Sequence, residues 1–458
     1  MQFNPEIFKA YDIRGLIRGD LSEELAYRIA RGFVVFLRSG ANLHEKQAIV
    51  VGRDMRESGP FLSAAIMRGI QDEGVGVVNI GLTSTPLFNF TCANFPEHAG
   101  GIMVTASHNP AEYNGFKLTL GNGLPVGRGN GMEAVRDLVE RNDFTDQPKR
   151  GVIKTRDAFP DYLERIFELV PPDSIKSLKV IIDAGNGMAD VTFPKILQHL
   201  PVQTSYLFLE PDGRFPNHEA NPLKTETLQA LQKKVVEMKA DFGFALDGDA
   251  DRIGLVDEKG SIVPASIVGA LVGLEVLQTH PGARMLYDLR SSAVVKEVWE
   301  KAGATTEMCM VGHALIKKMM ANTKADFASE LSMHLYYADL FNLESSDLSL
   351  LYILQLLSRD GRTLSSIVKP LQKYFHSGEI NYKIKNKEEV LQKLEKKYTT
   401  KTNKISHLDG LWVKTLWGMI SVRSSNTEPV LRLNLEADSQ EKMEEELQKV
   451  EKIINSAK

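Results

Sequence analysis

The sequence has few of the features that mark secreted, membrane-bound or nucleic-acid-binding proteins. Its 458 residues include two cysteines, Cys92 and Cys309, with no metal-site spacing, so we expect a reducing compartment and no disulfide framework. Lysine and arginine total 55 against 59 acidic residues, and this net charge of −4 does not favour nucleic acid or an anionic membrane as a partner.

Long uninterrupted apolar runs are also missing. The first residues, MQFNPEIFKAYDIRG, are polar and charged where a signal peptide needs an apolar stretch. The most apolar window, residues 261–277, contains Pro264 and Glu275, which predicts a buried helix rather than a membrane span. We therefore expect a soluble, cytoplasmic protein with no membrane or nucleic-acid partner, present as a monomer or weak homo-oligomer.

Three stretches of the chain share one rhythm. Residues 47–81, 176–200 and 282–312 each pass from a short Val/Ile-rich run through a polar loop to a helix-length segment. This alternation is typical of βαβ units around largely parallel sheets. It predicts an α/β protein with three related mixed- or parallel-sheet domains, here placed at residues 1–150, 151–256 and 257–368.

The last part of the chain has a different pattern. Residues 386–398 predict a charged helix, residues 418–438 predict two strands around a polar loop, and residues 439–454 predict an amphipathic helix. This predicts a fourth, α+β domain at residues 369–458.

The segment GIMVTASHNPAEYNGFK places Ser107 directly after an apolar strand. α/β sheets bind ligands at strand ends, but a serine needs activation to act as a nucleophile. A simple turn is the alternative, because Ser, Asn and Pro all favour turns. We expect a sharp bend at residues 113–115 to bring Lys117 back toward the serine, which is useful where the site handles anions.

The segment DGDADR places Asp247, Asp249 and Asp251 at a spacing of two. In an extended backbone all three side chains project to one side, and three carboxylates repel one another unless a cation neutralises them. Oxygen ligands indicate Mg²⁺ or Ca²⁺. An EF-hand needs glycine where Arg252 stands, so we favour Mg²⁺, with a solvated acidic turn as the alternative.

Two further polar segments could bind a ligand. VRSSNTEPVLR gathers a guanidinium, hydroxyls and an amide, which suit a phosphate dianion, although a polar hairpin loop would look the same. In SELSMH, Glu330, Ser332 and His334 alternate, so they could bind sugar hydroxyls or form the polar face of an edge strand. The first of these segments holds Arg423, two serines, Asn426 and Thr427 within five residues.

Together these segments indicate phosphoryl chemistry, with a carrier, a metal site, an anion clamp and a polyol-binding loop on separate domains. The sequence has no G-x-x-x-x-G-K-[ST] loop, so ATP is not expected as the donor.

The motifs TASHNP, DGDADR, SELSMH and RSSNTEP, together with KAYDIRG and GHALIK, resemble those of the α-D-phosphohexomutase superfamily. The resemblance is to its bacterial phosphomannomutase/phosphoglucomutase group and covers nearly the whole chain. It implies four domains around a central cleft. It also implies an isomerase that moves a phosphoryl group between the 1- and 6-positions of mannose and glucose phosphates.

The resemblance implies that Ser107 is the phosphorylated residue. It would give its phosphoryl group to O6 of a hexose 1-phosphate, and the resulting hexose 1,6-bisphosphate, intermediate and activator, would turn over in the cleft. Ser107 would then take back the other phosphoryl group. Mg²⁺ would be held by Asp247, Asp249, Asp251 and a phosphoserine oxygen on Ser107.

The remaining roles follow from the same resemblance. The acidic trio and a phosphoserine of charge about −2 outweigh Mg²⁺ by about three charges, which Arg14, Lys117 and Arg252 could offset. Lys117 and His334 are the candidates for proton transfer. Glu330 and Ser332 would contact O3 and O4 of the sugar, which have the same configuration in glucose and mannose. The other expected substrate-binding residues are Tyr11, His108, Arg290, His313, Arg423, Ser425, Asn426 and Thr427.

The chain departs from the family pattern at several places, and the segment after His334, LYYADLFNLESSD, resembles the family only loosely. The sugar loop usually reads Gly-Glu-Met-Ser but has Ser329 and Leu331 here, and Arg290 replaces a common lysine, keeping the charge and changing the geometry. Asn426 favours the mannose/glucose group over phosphoglucosamine mutases. The alternatives are a phosphoglucosamine or N-acetylglucosamine-phosphate mutase, and a sugar-phosphate- or calcium-binding protein without turnover.

Overall fold

The computed structural model describes residues 3–40, 43–44, 47–424 and 430–456 as four sheets with their helices. The four-domain α/β architecture predicted from the sequence is confirmed, while the boundaries at residues 150, 256 and 368 stay predictions. Within the described part of the chain, none of the helices combines the length and apolarity needed to cross a bilayer.

The first domain is built on a six-stranded sheet of order β1-β5-β4-β2-β3-β6. Its parallel part runs from β4 through β2 and β3 to β6, and β5 pairs antiparallel with both β4 and β1. The elements are β1 (Ile13–Leu16), α1 (Glu23–Ser39), β2 (Ala48–Arg53), α2 (Gly59–Asp72), β3 (Gly76–Leu82), α3 (Thr85–Asn94), β4 (His98–Val104), β5 (Tyr113–Leu120), α4 (Met132–Arg141) and β6 (Ile153–Thr155).

The second domain repeats this layout with five strands in the order β11-β10-β9-β7-β8. The strands β8, β7 and β9 are parallel, and β10 turns back antiparallel to β9. The elements are α5 (Phe159–Leu169), β7 (Lys179–Asp183), α6 (Phe193–Leu197), β8 (Gln203–Leu207), α7 (Gln229–Met238), β9 (Phe242–Leu246), β10 (Ile253–Asp257) and β11 (Ile262–Val263).

The third domain has the order β13-β12-β14-β15-β16, again with a parallel part followed by antiparallel strands. Its first helix, α8, is the buried apolar helix expected from the sequence. The elements are α8 (Ala265–Thr279), β12 (Arg284–Asp288), α9 (Ala293–Lys301), β13 (Thr305–Cys309), α10 (His313–Thr323), β14 (Phe327–Ser329), β15 (Leu335–Tyr337), β16 (Leu343–Glu344), α11 (Ser346–Asp360) and α12 (Leu364–Val368).

The C-terminal domain has one antiparallel sheet, β17-β21-β20-β19-β18, covered by two helices. Leu431, Leu433 and Leu435 of β21 face the core, and polar residues alternate with them along the strand. The elements are β17 (Phe375–Tyr382), α13 (Lys387–Tyr398), β18 (Lys404–Ser406), β19 (Leu411–Lys414), β20 (Gly418–Ser424), β21 (Leu431–Ala437) and α14 (Gln440–Asn455).

One large hydrophobic cluster spans the second and third domains, which also have a smaller cluster each, whereas the C-terminal domain has its own. Phe244 of β9, Val272 of α8 and Trp299 of α9 belong to the same continuous cluster of buried side chains. Val413 and Leu433 belong to a separate cluster beneath α13 and α14. Apolar packing therefore joins the second and third domains, whereas the C-terminal domain packs around an apolar core of its own.

A buried carboxyl group of the third domain accepts hydrogen bonds from hydroxyl groups of the second domain. Asp347 of α11 accepts hydrogen bonds from the hydroxyls of Tyr162 on α5, at 2.9 Å, and Thr192, at 2.7 Å. Burial raises the pKa of Asp347 to about 6, since the two hydroxyl donors only partly offset the loss of water.

Candidate active site

The loop that carries Ser107 follows β4, as predicted. Ser107 is 2% exposed and has a left-handed backbone with φ of 50°, which is strained for a residue other than glycine. Its N–H donates to the Thr105 hydroxyl at 2.9 Å, and its own hydroxyl donates to Oδ2 of Asp247 at 2.7 Å. The Nδ1 atom of His108 lies 3.2 Å from the same hydroxyl oxygen. Ser107 therefore lies in a turn, as one interpretation of the sequence predicted, and at a strand end where ligands bind, as the other predicted.

The bend expected at residues 113–115 is wrong. Tyr113 begins strand β5, which runs straight through Lys117 and pairs with β4, so that Lys117 lies opposite Met103. The chain reverses earlier, in the turn at residues 107–112. The Lys117 Nζ atom donates at 2.6 Å to both Asp249 and Asp251.

The three aspartates lie in a tight turn after β9 rather than on an extended segment, so the geometric premise of their spacing is wrong. Ala250 has a φ of 58°, and Oδ1 of Asp247 accepts the N–H groups of Asp251 and Arg252 at 3.0 and 3.1 Å. The turn nevertheless brings one carboxylate oxygen from each of the three to within 4.8 Å of the others.

The trio fits a hard divalent cation. All three side chains are buried, and Asp249 Oδ1 has no hydrogen-bond partner among the described residues. A set of carboxylate oxygens, with no imidazole nitrogen or thiolate sulfur among the ligand atoms, suits Mg²⁺ or Ca²⁺. Strands β9 and β10 flank the turn where an EF-hand would have helices, which excludes that alternative.

The pKa values of Asp247 and Asp251 are shifted in opposite directions. Burial and the two neighbouring carboxylates raise the pKa of Asp247 well above its ordinary value. Burial would also raise the pKa of Asp251, but Lys117 and His334 outweigh it and hold that pKa well below the usual range. The same aspartates raise the pKa of Lys117 against the effect of its burial. The cluster therefore contains a strongly held cation next to a carboxyl that binds protons readily.

Gly248 explains how the two loops approach each other. A Cβ atom at this position would lie 2.5 Å from the carbonyl oxygen of Ser107, a distance that real Cβ atoms do not show. The glycine between Asp247 and Asp249 thus allows the backbone of the acidic turn to pack directly on the serine loop.

Arg56 is a site residue that the sequence analysis missed. It follows β2, is 1% exposed, and its guanidinium donates to four backbone carbonyls of the serine loop at 2.6–2.9 Å. Those carbonyls belong to Ser107, Asn109, Pro110 and Tyr113. The available signal was its place after a parallel strand, at the sheet edge where Ser107 also lies.

Thr85 was missed for a similar reason. Its hydroxyl donates to Oδ2 of Asp249 at 2.6 Å, and its N–H donates to the backbone carbonyl of the same residue. Thr85 begins α3 in the first domain, so it fixes the acidic turn of the second domain against the first.

Residues 330–334 form a turn between β14 and β15, and the edge-strand alternative is wrong because both strands lie inside the third sheet. His334 Nε2 lies 3.3 Å from Asp251, and Nδ1 lies 3.2 Å from Glu330. Burial would lower the pKa of His334, but these two carboxylates raise it to about 9. The turn thus connects the sugar-loop residues to the acidic trio.

Ser329, where the family usually has glycine, is accommodated by a glycine elsewhere. A Cβ atom on Gly269 of α8 would lie 2.8 Å from the Cβ atom of Ser329. The extra side chain therefore occupies space that Gly269 leaves open, and Glu330 still accepts the hydroxyl hydrogen of Tyr336 at 2.8 Å.

The anion clamp predicted in the C-terminal domain is described in part. Arg423 is the second-last residue of β20 and is 2% exposed, and Arg290, after β12, contacts Asp288 at 2.7 Å. Both arginines lie within 3.5 Å of Glu379 on β17, a residue that no sequence pattern indicated. The predicted residues Ser425, Asn426 and Thr427 lie outside the described residues.

The remaining predicted residues lie around the same space. Arg14 pairs with Asp12 and donates to the Asn109 side chain at 2.6 Å, next to the serine loop. Tyr11 donates to the Val311 carbonyl at 3.0 Å, and its ring lies 5.4 Å from that of His313. Arg252 lies 3.9 Å from Asp247.

One cavity of about 680 Å³ collects these groups, with wall residues from all four domains. Of the predicted residues, those on its wall are Tyr11, Arg14, Ser107, His108, Lys117, Asp251, Arg252, Arg290, His313, Glu330, Ser332, His334 and Arg423. A serine hydroxyl, Asp251 of the acidic trio and several cationic side chains thus line a space large enough for a small charged ligand, whereas Asp247 and Asp249 are not on its wall.

Comparison with known proteins matches this arrangement. Family models described as phosphoglucomutase/phosphomannomutase alpha/beta/alpha domains I, II and III match residues 5–146, 157–260 and 265–374, and the C-terminal domain model matches residues 379–453.

Individual relatives cover almost the whole chain. Phosphohexose mutases of Xanthomonas campestris are 35% identical over 430 residues, which is 94% of each chain. A phosphomannomutase of Methanocaldococcus jannaschii is 33% identical over 455 residues, 98% of this chain and 97% of that one. The crystal structure of a phosphoglucomutase/phosphomannomutase family protein from Burkholderia thailandensis superposes with a TM-score of 0.90 at 30% identity, covering 100% and 98% of the two chains. The chain therefore belongs to the phosphoglucomutase/phosphomannomutase family.

Proposed function

We propose that this protein is a Mg²⁺-dependent hexose phosphate mutase that uses Ser107 as its phosphoryl carrier. One observation carries the proposal: the Ser107 hydroxyl lies 2.7 Å from a carboxylate of the acidic trio, on the wall of a cavity shared by four domains. The family's relatives are mutases that act on hexose phosphates, and this geometry fits the same reaction.

The reaction is a balanced exchange of one phosphoryl group. Phosphorylated Ser107 loses its phosphoryl group to O6 of a hexose 1-phosphate, and the proton of that hydroxyl passes through the protein to the released serine oxygen. The hexose 1,6-bisphosphate then presents its other end. Ser107 takes the phosphoryl group from O1, and the serine proton passes back through the protein to O1, leaving the 6-phosphate. The same steps in reverse convert the 6-phosphate to the 1-phosphate.

A bound Mg²⁺ would supply charge stabilisation for the transferring phosphoryl oxygens, and Asp247, Asp249 and Asp251 would hold it. Arg56 keeps the serine loop in its strained shape, so the oxygen points at the cavity. Lys117 Nζ and His334 Nε2 both contact the trio, and these two atoms are the candidates that exchange the proton of the sugar hydroxyl.

Substrate breadth follows from where the sugar is held. Glu330 and Ser332 lie on the turn that faces the cavity, and contacts from them to O3 and O4 do not distinguish mannose from glucose. The arginines at the other end of the cavity hold the phosphate that is not reacting, so binding energy far from the reaction positions the reacting end.

Intact-mass analysis tests the carrier. After incubation with glucose 1,6-bisphosphate, the wild-type protein should gain the mass of one phosphate, and Ser107→Ala should gain none and lose nearly all turnover. Ser63→Ala is a matched control, because Ser63 lies on α2 and donates to the Pro60 carbonyl. A fully active Ser107→Ala protein would refute the proposal.

A panel of sugar 1-phosphates tests the substrate. We expect kcat/KM for mannose 1-phosphate and glucose 1-phosphate to exceed that for glucosamine 1-phosphate. The opposite ranking would show a phosphoglucosamine mutase instead.

A further inference from the structure

Glu379 lies among three arginines that come from different parts of the chain. Its carboxylate is 3.3 Å from Arg290, 3.5 Å from Arg423 and 3.1 Å from Arg432. Glu379 stands on β17 at a register shift in its pairing with β21, and it lines the cavity. Arg290 and Arg423, the two of these arginines that were expected to bind the substrate, therefore already contact a carboxylate.

Each of the three guanidinium groups already contacts a carboxylate among the described residues. Asp288 contacts Arg290 at 2.7 Å, Asp409 lies 4.0 Å from Arg423, and Glu379 contacts all three arginines. The side chain of Asp288 is fully buried, that of Asp409 is 12% exposed and that of Glu379 is 25% exposed. Glu379 is thus the most exposed of these three carboxylates and the one that can move away from the arginines most readily.

A phosphate dianion placed on the same arginines would repel a carboxylate that stayed there. Glu330 also lies 3.3 Å from Arg290, but it is committed to His334 and Tyr336. Arginine contacts outweigh burial and lower the pKa of Glu379, so it is charged at neutral pH.

We propose that Glu379 is a resident counter-anion, which pairs with the three arginines when the distal phosphate of the substrate is absent and gives way when that phosphate binds. The inference rests on the proposed function, because it takes the ligand of this cluster to be the phosphate of a hexose phosphate.

The arrangement suits a reaction whose intermediate must present both ends to Ser107. The distal phosphate then has to leave the arginines once in each turnover. Leaving buried guanidinium groups unpaired is costly, and a carboxylate that takes the place of the phosphate removes most of that cost. Glu379 therefore weakens phosphate binding and speeds release.

Glu379→Gln tests this because it removes the charge and keeps the shape. Titration calorimetry with inorganic phosphate and with glucose 1-phosphate should show a Kd roughly tenfold lower than in the wild type, with a lower kcat. Glu388→Gln is the matched control: the residue is exposed on α13 of the same domain, away from the cavity wall, and its Kd should match the wild type. Unchanged or weaker binding by Glu379→Gln would overturn the inference.

A double-mutant cycle locates the effect. In an Arg423→Met background, Glu379→Gln should give little of the gain in affinity, since one of the competing arginines is gone. A full gain in that background would place the effect elsewhere and overturn the inference. Glu379→Asp, which keeps the charge, should bind like the wild type. Glu379→Ala, which also removes the charge and should also lower the Kd, replaces the glutamine variant if that one does not fold.

The binding measurements test the counter-anion and the mutase assay tests the proposed reaction, so either hypothesis can be refuted while the other is supported. A lower Kd in Glu379→Gln together with no turnover by the wild-type protein would sustain the counter-anion and refute the proposed reaction. Turnover by the wild type together with no change in Kd would do the reverse.

Discussion

Replacing Asp347 by asparagine should stabilise the protein at pH 8 more than at pH 5. Asp347 is buried between the second and third domains, with hydroxyl donors from Tyr162 and Thr192 as its polar neighbours. Burial raises its pKa to about 6, so the folded state prefers the protonated acid. Asparagine imitates that neutral form at every pH.

The magnitude follows from the two pKa values. An aspartate in the unfolded chain has a pKa of about 3.9, so keeping Asp347 ionised in the fold costs about 3 kcal/mol at pH 8. Because the folded pKa is the higher one, its stabilising contribution is complete below about pH 4 and is lost as pH rises through 6. Between pH 5 and pH 8 the loss amounts to about 1.4 kcal/mol, and the asparagine variant should not show it.

Thermal melts at pH 5, 6, 7 and 8 measure this directly. For a cooperative unit of about 150–250 residues, 1.4 kcal/mol corresponds to roughly 3–6 °C in Tm. The Tm of Asp347→Asn minus that of the wild type should therefore increase by this amount from pH 5 to pH 8. Asp161→Asn, an exposed position on α5, controls for the general loss of a carboxylate.

The constant cost of rearranged hydrogen bonds does not affect the comparison, because the same amount enters at each pH. A Tm difference that stays flat with pH would refute the reasoning, as would one that shrinks toward pH 8. Either result would mean that Asp347 is ionised without penalty in the folded protein.

Three further changes test the site. Arg56→Ala should lower kcat roughly 100-fold with a smaller change in KM, because the guanidinium no longer binds the four backbone carbonyls of the serine loop. Arg68→Ala, at an exposed position, is the control, and an effect confined to KM would contradict the prediction. Gly248→Ala should keep the circular dichroism spectrum and lower kcat, since its Cβ would lie 2.5 Å from the Ser107 carbonyl oxygen; wild-type kcat would contradict the contact. Chelation with EDTA should abolish turnover and Mg²⁺ should restore it, whereas Asp249→Asn should raise the Kd for Mg²⁺ at least about tenfold, measured by calorimetry.

Local patterns in the sequence predicted the strands, the repeated α/β units and the C-terminal domain. Each depends on apolar residues within one short segment, and β2, β7 and β12 are found where those residues lie. The position of Ser107 at a strand end and the convergence of the three aspartates were also predictable, because each motif lies within one loop.

Features that need a partner segment could not be predicted in this way. The extended segment around Asp247 and the bend before Lys117 were both wrong, since a left-handed Ala250 and the pairing of β5 with β4 become visible only in the folded chain. Arg56 and Glu379 act on loops more than 40 residues away along the chain, so no spacing within their own segments points to them.

The separate apolar interior of the C-terminal domain has a consequence for covalent continuity. A backbone cut between residues 369 and 374 would divide the chain into two pieces, each retaining a complete set of its own buried side chains. The larger piece would keep the serine, the acidic trio and Arg290, and the smaller one would keep Arg423, Arg432 and Glu379. Under the proposed function, the larger piece would therefore carry the reacting groups and the smaller one the groups that hold the distal phosphate.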